Sequence, residues 1–150
     1  MFEDQGFKAD QSSLFNSAYL SDSSDADTLK SGVKSWKRPS QMYSETPILW
    51  GTKGIVPNGV AQGQVGDCWF LAAASALAEV PERIKRVVWN DSYDKNGAFR
   101  FNFWVKNKWN GVNIDDRLPA NSGDRPFSTG RSRNMAWWMP LMEKAYAKLD

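Results

Sequence analysis

Residues 62–74 read Gln62-Gly63-Gln64-Val65-Gly66-Asp67-Cys68-Trp69-Phe70-Leu71-Ala72-Ala73-Ala74, a glycine-rich loop running into an alanine-rich apolar stretch. The apolar run continues to Glu79 with almost no charge, and Phe70, Leu71, Ala74, Leu77 and Ala78 recur at helical spacing. That pattern predicts a helix buried on most of its sides, with Gly66 and Asp67 suited to its N-terminal cap. A cysteine in the first turn lies at the positive end of the helix macrodipole, a setting that turns a thiol into a nucleophile. The upstream glycines let backbone come close to a substrate carbonyl. The Gln62 side-chain amide and the Cys68 backbone N–H are then candidate donors to the oxyanion formed when a thiolate attacks an acyl carbon. Trp69 offers a rigid apolar wall where an imidazole would lie. The plainer alternative is that a lone cysteine in an apolar helix is an inert small hydrophobe.

Downstream, Pro81 followed by Glu82 opens a second short helix, Pro81 to Val88, with proline in its first turn. From Ala98 to Val105 the residues Phe99, Phe101, Phe103 and Val105 alternate with Arg100, Asn102 and Trp104, which predicts a strand. Lys106-Asn107-Lys108 turns the chain, and Trp109 to Ile114 returns as the partner strand with a bulge expected at Gly111. Asp115-Asp116-Arg117-Leu118-Pro119 leaves the hairpin, and Asn121 to Arg133 reads as loop. Met135 to Leu149 carries Trp138, Leu141, Met142, Ala145 and Leu149 as an amphipathic helix, with Pro140 in or near its first turn. Upstream, residues 1–20 mix aromatic and aliphatic positions (Phe2, Phe7, Leu14, Phe15, Tyr19). Ser21 to Ser35 is Ser- and Asp-rich and reads as a flexible linker or surface loop. The stretch from Trp36 to Gly59 is loop-like, punctuated by Pro47, Gly51, Gly54 and Pro57.

Composition narrows the function. The 150 residues are 41% hydrophobic and 24% charged, with eight Trp and eight Phe, enough to fill one domain core. A net charge of +2 with mixed signs gives no nucleic-acid stripe. One cysteine makes no internal disulfide, and no apolar run approaches the roughly 20 residues of a membrane span, so a cytoplasmic setting is expected. The start MFEDQGFKAD lacks the basic-then-apolar pattern of a secretory signal. There is no histidine, which excludes a self-contained Cys-His or Ser-His-Asp site and the common zinc sites. Asp115-Asp116 reads as a turn satisfied by Arg117, and Arg83, Lys85 and Arg86 as a solvated helix face. Trp137-Trp138 and Trp104/Trp109 read as packing on a helix and across the hairpin.

The stretch Gln62 to Ala74 resembles the catalytic-cysteine motif of the calpains, which belong to the papain-like cysteine proteases. In that motif a glutamine six residues before the nucleophile lines the oxyanion hole, the spacing of Gln62 and Cys68. Phe2-Glu3-Asp4, Trp36-Lys37-Arg38-Pro39, Asp115-Asp116-Arg117-Leu118-Pro119 and Glu143 to Lys148 resemble other parts of the calpain core, so the likeness covers nearly the whole chain. It implies the α+β fold of the helical first papain-like subdomain over residues 36–150, incomplete, preceded by an extension and linker over 1–35. It implies cysteine endopeptidase activity on protein substrates through an acyl-enzyme, with Cys68 and Gln62 as site residues.

The catalytic histidine and asparagine would come from a second subdomain absent here, so the chain alone is expected to be inactive, a fragment of a longer protease. A non-catalytic calpain-like binding or regulatory module, and a split enzyme completed by another chain, are the alternatives. The family also implies calcium regulation. Its carboxylate positions, however, align with Gly59 and Ala136, and a coupling arginine with Pro57, so no cofactor is expected to bind this chain.

Overall fold

The computed structural model describes residues 1–14, 23–131 and 134–149. Phe15, Tyr19, the first two residues of the Ser/Asp-rich stretch and the end of the 121–133 loop lie outside the described residues. Among the described residues the chain forms five α-helices, a long hairpin and a short second sheet, an α+β arrangement.

Within the Ser/Asp-rich stretch, Ser23–Gly32 forms helix α1 where loop was expected. Serine and aspartate lower helix propensity in the interior yet are welcome where a helix starts, so a run of them conceals a start. Gly32 closes α1 where a Cβ would lie 2.1 Å from the Phe127 ring, so glycine there permits a close approach. Ser35–Lys37 then forms β1, and Pro39–Met42 forms the short α2 with proline in its first turn.

Cys68–Ala78 is α3 and Pro81–Val87 is α4. Helix α3 buries Phe70, Leu71, Ala74 and Ala78, but Ala72, Ala73, Ala76 and Leu77 are exposed. The expectation of burial on most sides is therefore corrected: one face packs and the apolar opposite face is uncovered. Composition alone cannot make this distinction, because an all-apolar helix shows no periodic contrast between covered and uncovered faces. Ile84 and Val88 join the core, while Arg83, Lys85 and Arg86 face solvent.

Ala98–Val105 (β2) and Lys108–Asp115 (β3) pair antiparallel in unbroken register from Ala98↔Asp115 to Val105↔Lys108. Lys106 and Asn107 form a two-residue turn with φ of 52° and 60°, the left-handed pair that matches strand twist. The expected bulge at Gly111 is absent, and Gly111 pairs directly with Asn102. The glycine instead makes room for a side chain, since a Cβ there would lie 2.5 Å from an Arg100 guanidinium nitrogen. Phe99, Phe101, Val112 and Ile114 face the core. Trp104 and Trp109 do pack edge to face across the hairpin, with centroids 5.4 Å apart, but on its solvent side.

Leu118–Ala120 forms β4 and pairs with β1, a strand the sequence reading missed because three residues containing Pro119 show no alternation. Trp138–Leu149 is α5, with Pro140 as its third residue, where no intrahelical donor is lost. It buries Trp138, Leu141, Met142 and Ala145, and packs on the hairpin and β4. Phe70 of α3 and Tyr146 of α5 stack with centroids 4.6 Å apart, joining the two helices.

Asp115 and Asp116 are both buried and face different partners. Asp115 accepts hydrogen bonds from the Asp4 backbone at 2.9 Å, from Arg117 and from Lys144. Lys144 also donates to the backbone oxygens of Asp115 and Arg117 at 3.0 and 2.6 Å, so its three N–H groups are satisfied. Asp116 accepts from Arg38 and, at 2.6 Å, from the Tyr93 hydroxyl, while Arg38 also donates to Phe2 O at 2.8 Å. Lys148 donates to Asp4 at 2.7 Å. The expected turn with Arg117 exists, but as one contact of a buried network that draws the N-terminal segment and α5 onto the hairpin.

Burial pushes the Asp115 carboxyl up, yet the Lys144 charge and the hydrogen bonds from Lys144 and Arg117 outweigh it and hold it below its ordinary value of 3.8. A depressed carboxyl stabilises the fold fully above its unfolded value and loses that contribution as pH falls through the lower folded value. Lys144→Met is expected to destabilise the chain by roughly 3–5 kcal/mol in urea unfolding at neutral pH, because it leaves Asp115 with less of its counter-charge. The difference from wild type should shrink on acidification below 3.8. A loss under 1 kcal/mol, independent of pH, would show that the network is not held by this pair.

Candidate functional site

The loop before α3 is strapped from behind by residues 127–130. Gln64 N–H donates to Phe127 O at 2.9 Å, and Gly130 N–H donates to Ala61 O at 3.2 Å. Between these bonds, a Cβ on Gly63 would lie 1.6 Å from Ser128 O. Only glycine fits there, for reasons of contact rather than backbone angle. Gln62 and Cys68 flank this strap, and both are exposed. Cys68 is a free thiol at the first position of α3. The Phe70 and Leu71 N–H groups turn onto Asp67 O at 2.9 and 3.1 Å, which closes the first turn. Trp69 stands 60% exposed beside the thiol, with its ring edge-on to Phe70 and to Tyr146 at 5.8 and 5.7 Å. Cys68 is therefore not a buried residue of the core.

Asp67 occupies the N-cap position but its side chain caps nothing in α3, contrary to expectation. It turns inward and meets the carboxyl of Glu143 from α5. Glu143 accepts a hydrogen bond from Thr129 N–H at 2.8 Å, so α5 reaches both the strap and the residue before Cys68. Burial, then the hydrogen bond and charge of Asp67, push the Glu143 carboxyl up to about 8. Sequence reasoning named Glu143 only as part of the stretch to Lys148 that resembles the calpain core, with no role of its own. The available signal was an acid set among Trp138, Leu141, Met142 and Ala145 in an otherwise buried helix.

The two positions where the resemblance expects carboxylates are both buried. Gly59 ends the single turn Pro57–Gly59, and Ala136 bridges Ile48 in parallel. The Asn134 amide lies 3.7 Å from where a Gly59 Cβ would be, and it donates to Gly54 O at 3.1 Å. Neither position supplies a carboxylate.

An α+β frame whose central helix opens on a cysteine is the arrangement of a cysteine-protease core. The sequence pattern of the calpain family cysteine protease matches residues 2–150. The chain is 41% identical to Calpain clp-1 of Caenorhabditis elegans over 154 aligned residues, covering 99% of this chain and 18% of that protein. It is 42% identical to Calpain-13 of Rattus norvegicus over 118 residues, 76% of this chain and 17% of that protein. Against the Calpain-2 catalytic subunit of Homo sapiens the identity is 38% over 118 residues, 77% of this chain and 16% of that protein. The chain belongs to the calpain family of cysteine proteases. It spans less than a fifth of the length of these relatives. No helix among the described residues is long and apolar enough to cross a membrane.

Exposure sets the expected behaviour of the thiol. Iodoacetamide should label Cys68 in the folded chain at a rate within a few-fold of that in denaturant, read by intact mass. Strong protection in the native state would contradict the placement of the thiol.

Proposed function

We propose that this chain carries the nucleophile side of a calpain-type endopeptidase site, with Cys68 as nucleophile and Gln62 as an oxyanion donor. The observation that carries the reading is the exposed thiol at the head of α3, with Gln62 exposed on the strapped loop before it. In this reading the Cys68 thiolate adds to a peptide carbonyl, and the tetrahedral oxyanion is held by the Gln62 amide and the Cys68 backbone N–H. Collapse forms a thioester and expels the amine, which takes a proton from a general acid. Water then hydrolyses the thioester and frees the thiolate. The sequence holds no histidine, so the proton carrier comes from outside these residues. The uncovered face of α3, with Trp69 and Leu77 exposed, supports a covering subdomain there.

Residues 36–150 then act as the first subdomain. Residues 1–35 are an extension, and Phe2 and Asp4 fasten its start to that subdomain. The single cysteine fits the reducing cytoplasm.

The chain alone should hydrolyse no peptide. Joined to the histidine-bearing second subdomain of a calpain relative, it should cleave protein substrates. Cys68→Ser should abolish that cleavage, and Gln62→Ala should lower kcat on the order of 10²–10³-fold. Turnover by the chain alone that survives Cys68→Ser would sink the proposal. Stable complex formation without cleavage would put the regulatory-module reading in its place.

Calcium regulation through Gly59 and Ala136 is not part of this function, since neither side chain offers an oxygen. Millimolar calcium should leave the Tm of the chain unchanged within about 1 °C, whereas a concentration-dependent rise would reveal a site elsewhere in the chain.

A further inference from the structure

The Asp67–Glu143 carboxyl pair has a part in placing the thiol that the reaction outlined above does not use. One oxygen of each group, Asp67 Oδ1 and Glu143 Oε1, is buried and receives no N–H or O–H donor from the described residues. The pair borders a cavity of about 200 Å³ walled by Val65, Trp69, Phe70, Phe127 and Tyr146, which gives little solvation to charge. Two touching carboxylates in such surroundings repel strongly, and a single proton between them resolves the repulsion and both unpartnered oxygens together.

Among the described residues, the other charged groups nearby are engaged elsewhere. Lys144, next to Glu143, is turned to Asp115, and Arg131 beyond the strap pairs with Glu45 at 3.5 Å. The Tyr146 ring lies against Phe70. From the head of α3, the group that meets Glu143 is Asp67, the residue directly before Cys68.

We propose that Glu143 is a positioning residue for Cys68. As a carboxylic acid it donates a hydrogen bond to Asp67 while accepting one from Thr129 N–H. This clasp joins α5, the 127–130 strap and the residue before the nucleophile, and so sets where Cys68 stands relative to Gln62. Loss of the proton places a second negative charge behind the thiol and opens the clasp. The raised Glu143 carboxyl puts that loss at about pH 8. The inference rests on Cys68 being the nucleophile, but its test reads the thiol and the carboxyl directly and needs no peptidase activity.

The rate of Cys68 alkylation by iodoacetamide, followed by intact mass across neutral and alkaline pH, should show two inflexions in the wild-type chain. One belongs to the thiol, and the other falls close to 8 with the carboxyl pair. Glu143→Gln keeps a neutral donor and an acceptor, so it should fold, lose the second inflexion and alkylate several-fold faster on the alkaline side. Glu143→Ala breaks the clasp and should alter the rate at every pH. Superimposable profiles for wild type and Glu143→Gln would overturn the proposal. Where the variants fail to fold, a carbon-13 titration of the wild-type chain labelled in glutamate carboxyls decides it. One glutamate should titrate near 8, and titration of every glutamate in the ordinary range around 4.5 would refute it.

Discussion

Two adjacent aspartates at the end of the hairpin hold the structure together, because they face opposite ways and each captures a buried cation. Asp115 binds Lys144 of α5, and Asp116 binds Arg38 just before α2. Neither aspartate could be buried alone, since desolvation of an unpaired carboxylate far exceeds the stability of a domain this size. The partners must therefore arrive together. Through Asp4 and Phe2 the same network fastens the N-terminal segment, and through Lys144 and Lys148 it fixes the register of α5 on the hairpin. Nonpolar packing of Trp138, Leu141, Phe101 and Ile114 supplies most of the driving force, but it is tolerant of sliding. The ion pairs are not, because hydrogen bonds to buried charges have narrow geometry.

Placement of α5 has consequences at the thiol. Glu143 precedes Lys144 in the chain, so the contact that anchors Lys144 under the hairpin also directs Glu143 toward Asp67 and the strap. Tyr146, three residues on, supports both Phe70 and Trp69. Helix α5 is thus the element that relates the hairpin to the head of α3, and the loop from Gln62 is held between them by backbone bonds to residues 127–130. Because Gly63 and Ser128 touch backbone to backbone, the loop has little freedom to drift.

The outer surface of α3 has a different character. Trp69, Leu77 and Val80 are exposed beside three alanines (Ala72, Ala73 and Ala76) and the thiol itself. Alanine exposes little area, so this face is tolerable in water, yet it forms a continuous apolar stripe. The hairpin carries a separate exposed pair in Trp104 and Trp109, which shield each other edge to face.

The sequence by itself determined the elements whose signal is local. The helix from Cys68, the proline-led helix from Pro81, the alternating strand from Ala98 and the last helix all show their period or their breaker in a single window, although the last helix starts at Trp138 rather than at Met135. The motif from Gln62 to Ala74 was legible for the same reason, being contiguous. Tertiary structure decided the rest. Whether α3 is covered on one face or all faces depends on partners distant in the chain, and an unbroken apolar run carries no record of them. Helix α1 is too polar to show an apolar period, and the pairing of β1 with β4 joins two three-residue segments more than 80 residues apart. Asp67 looked like a cap because caps are read from neighbours, but its partner is Glu143, 76 positions away and brought close by the ion pairs that seat α5. Local hydrogen-bonding preferences are written in adjacent residues, whereas the pairing of buried charges is settled only when the whole core closes around them.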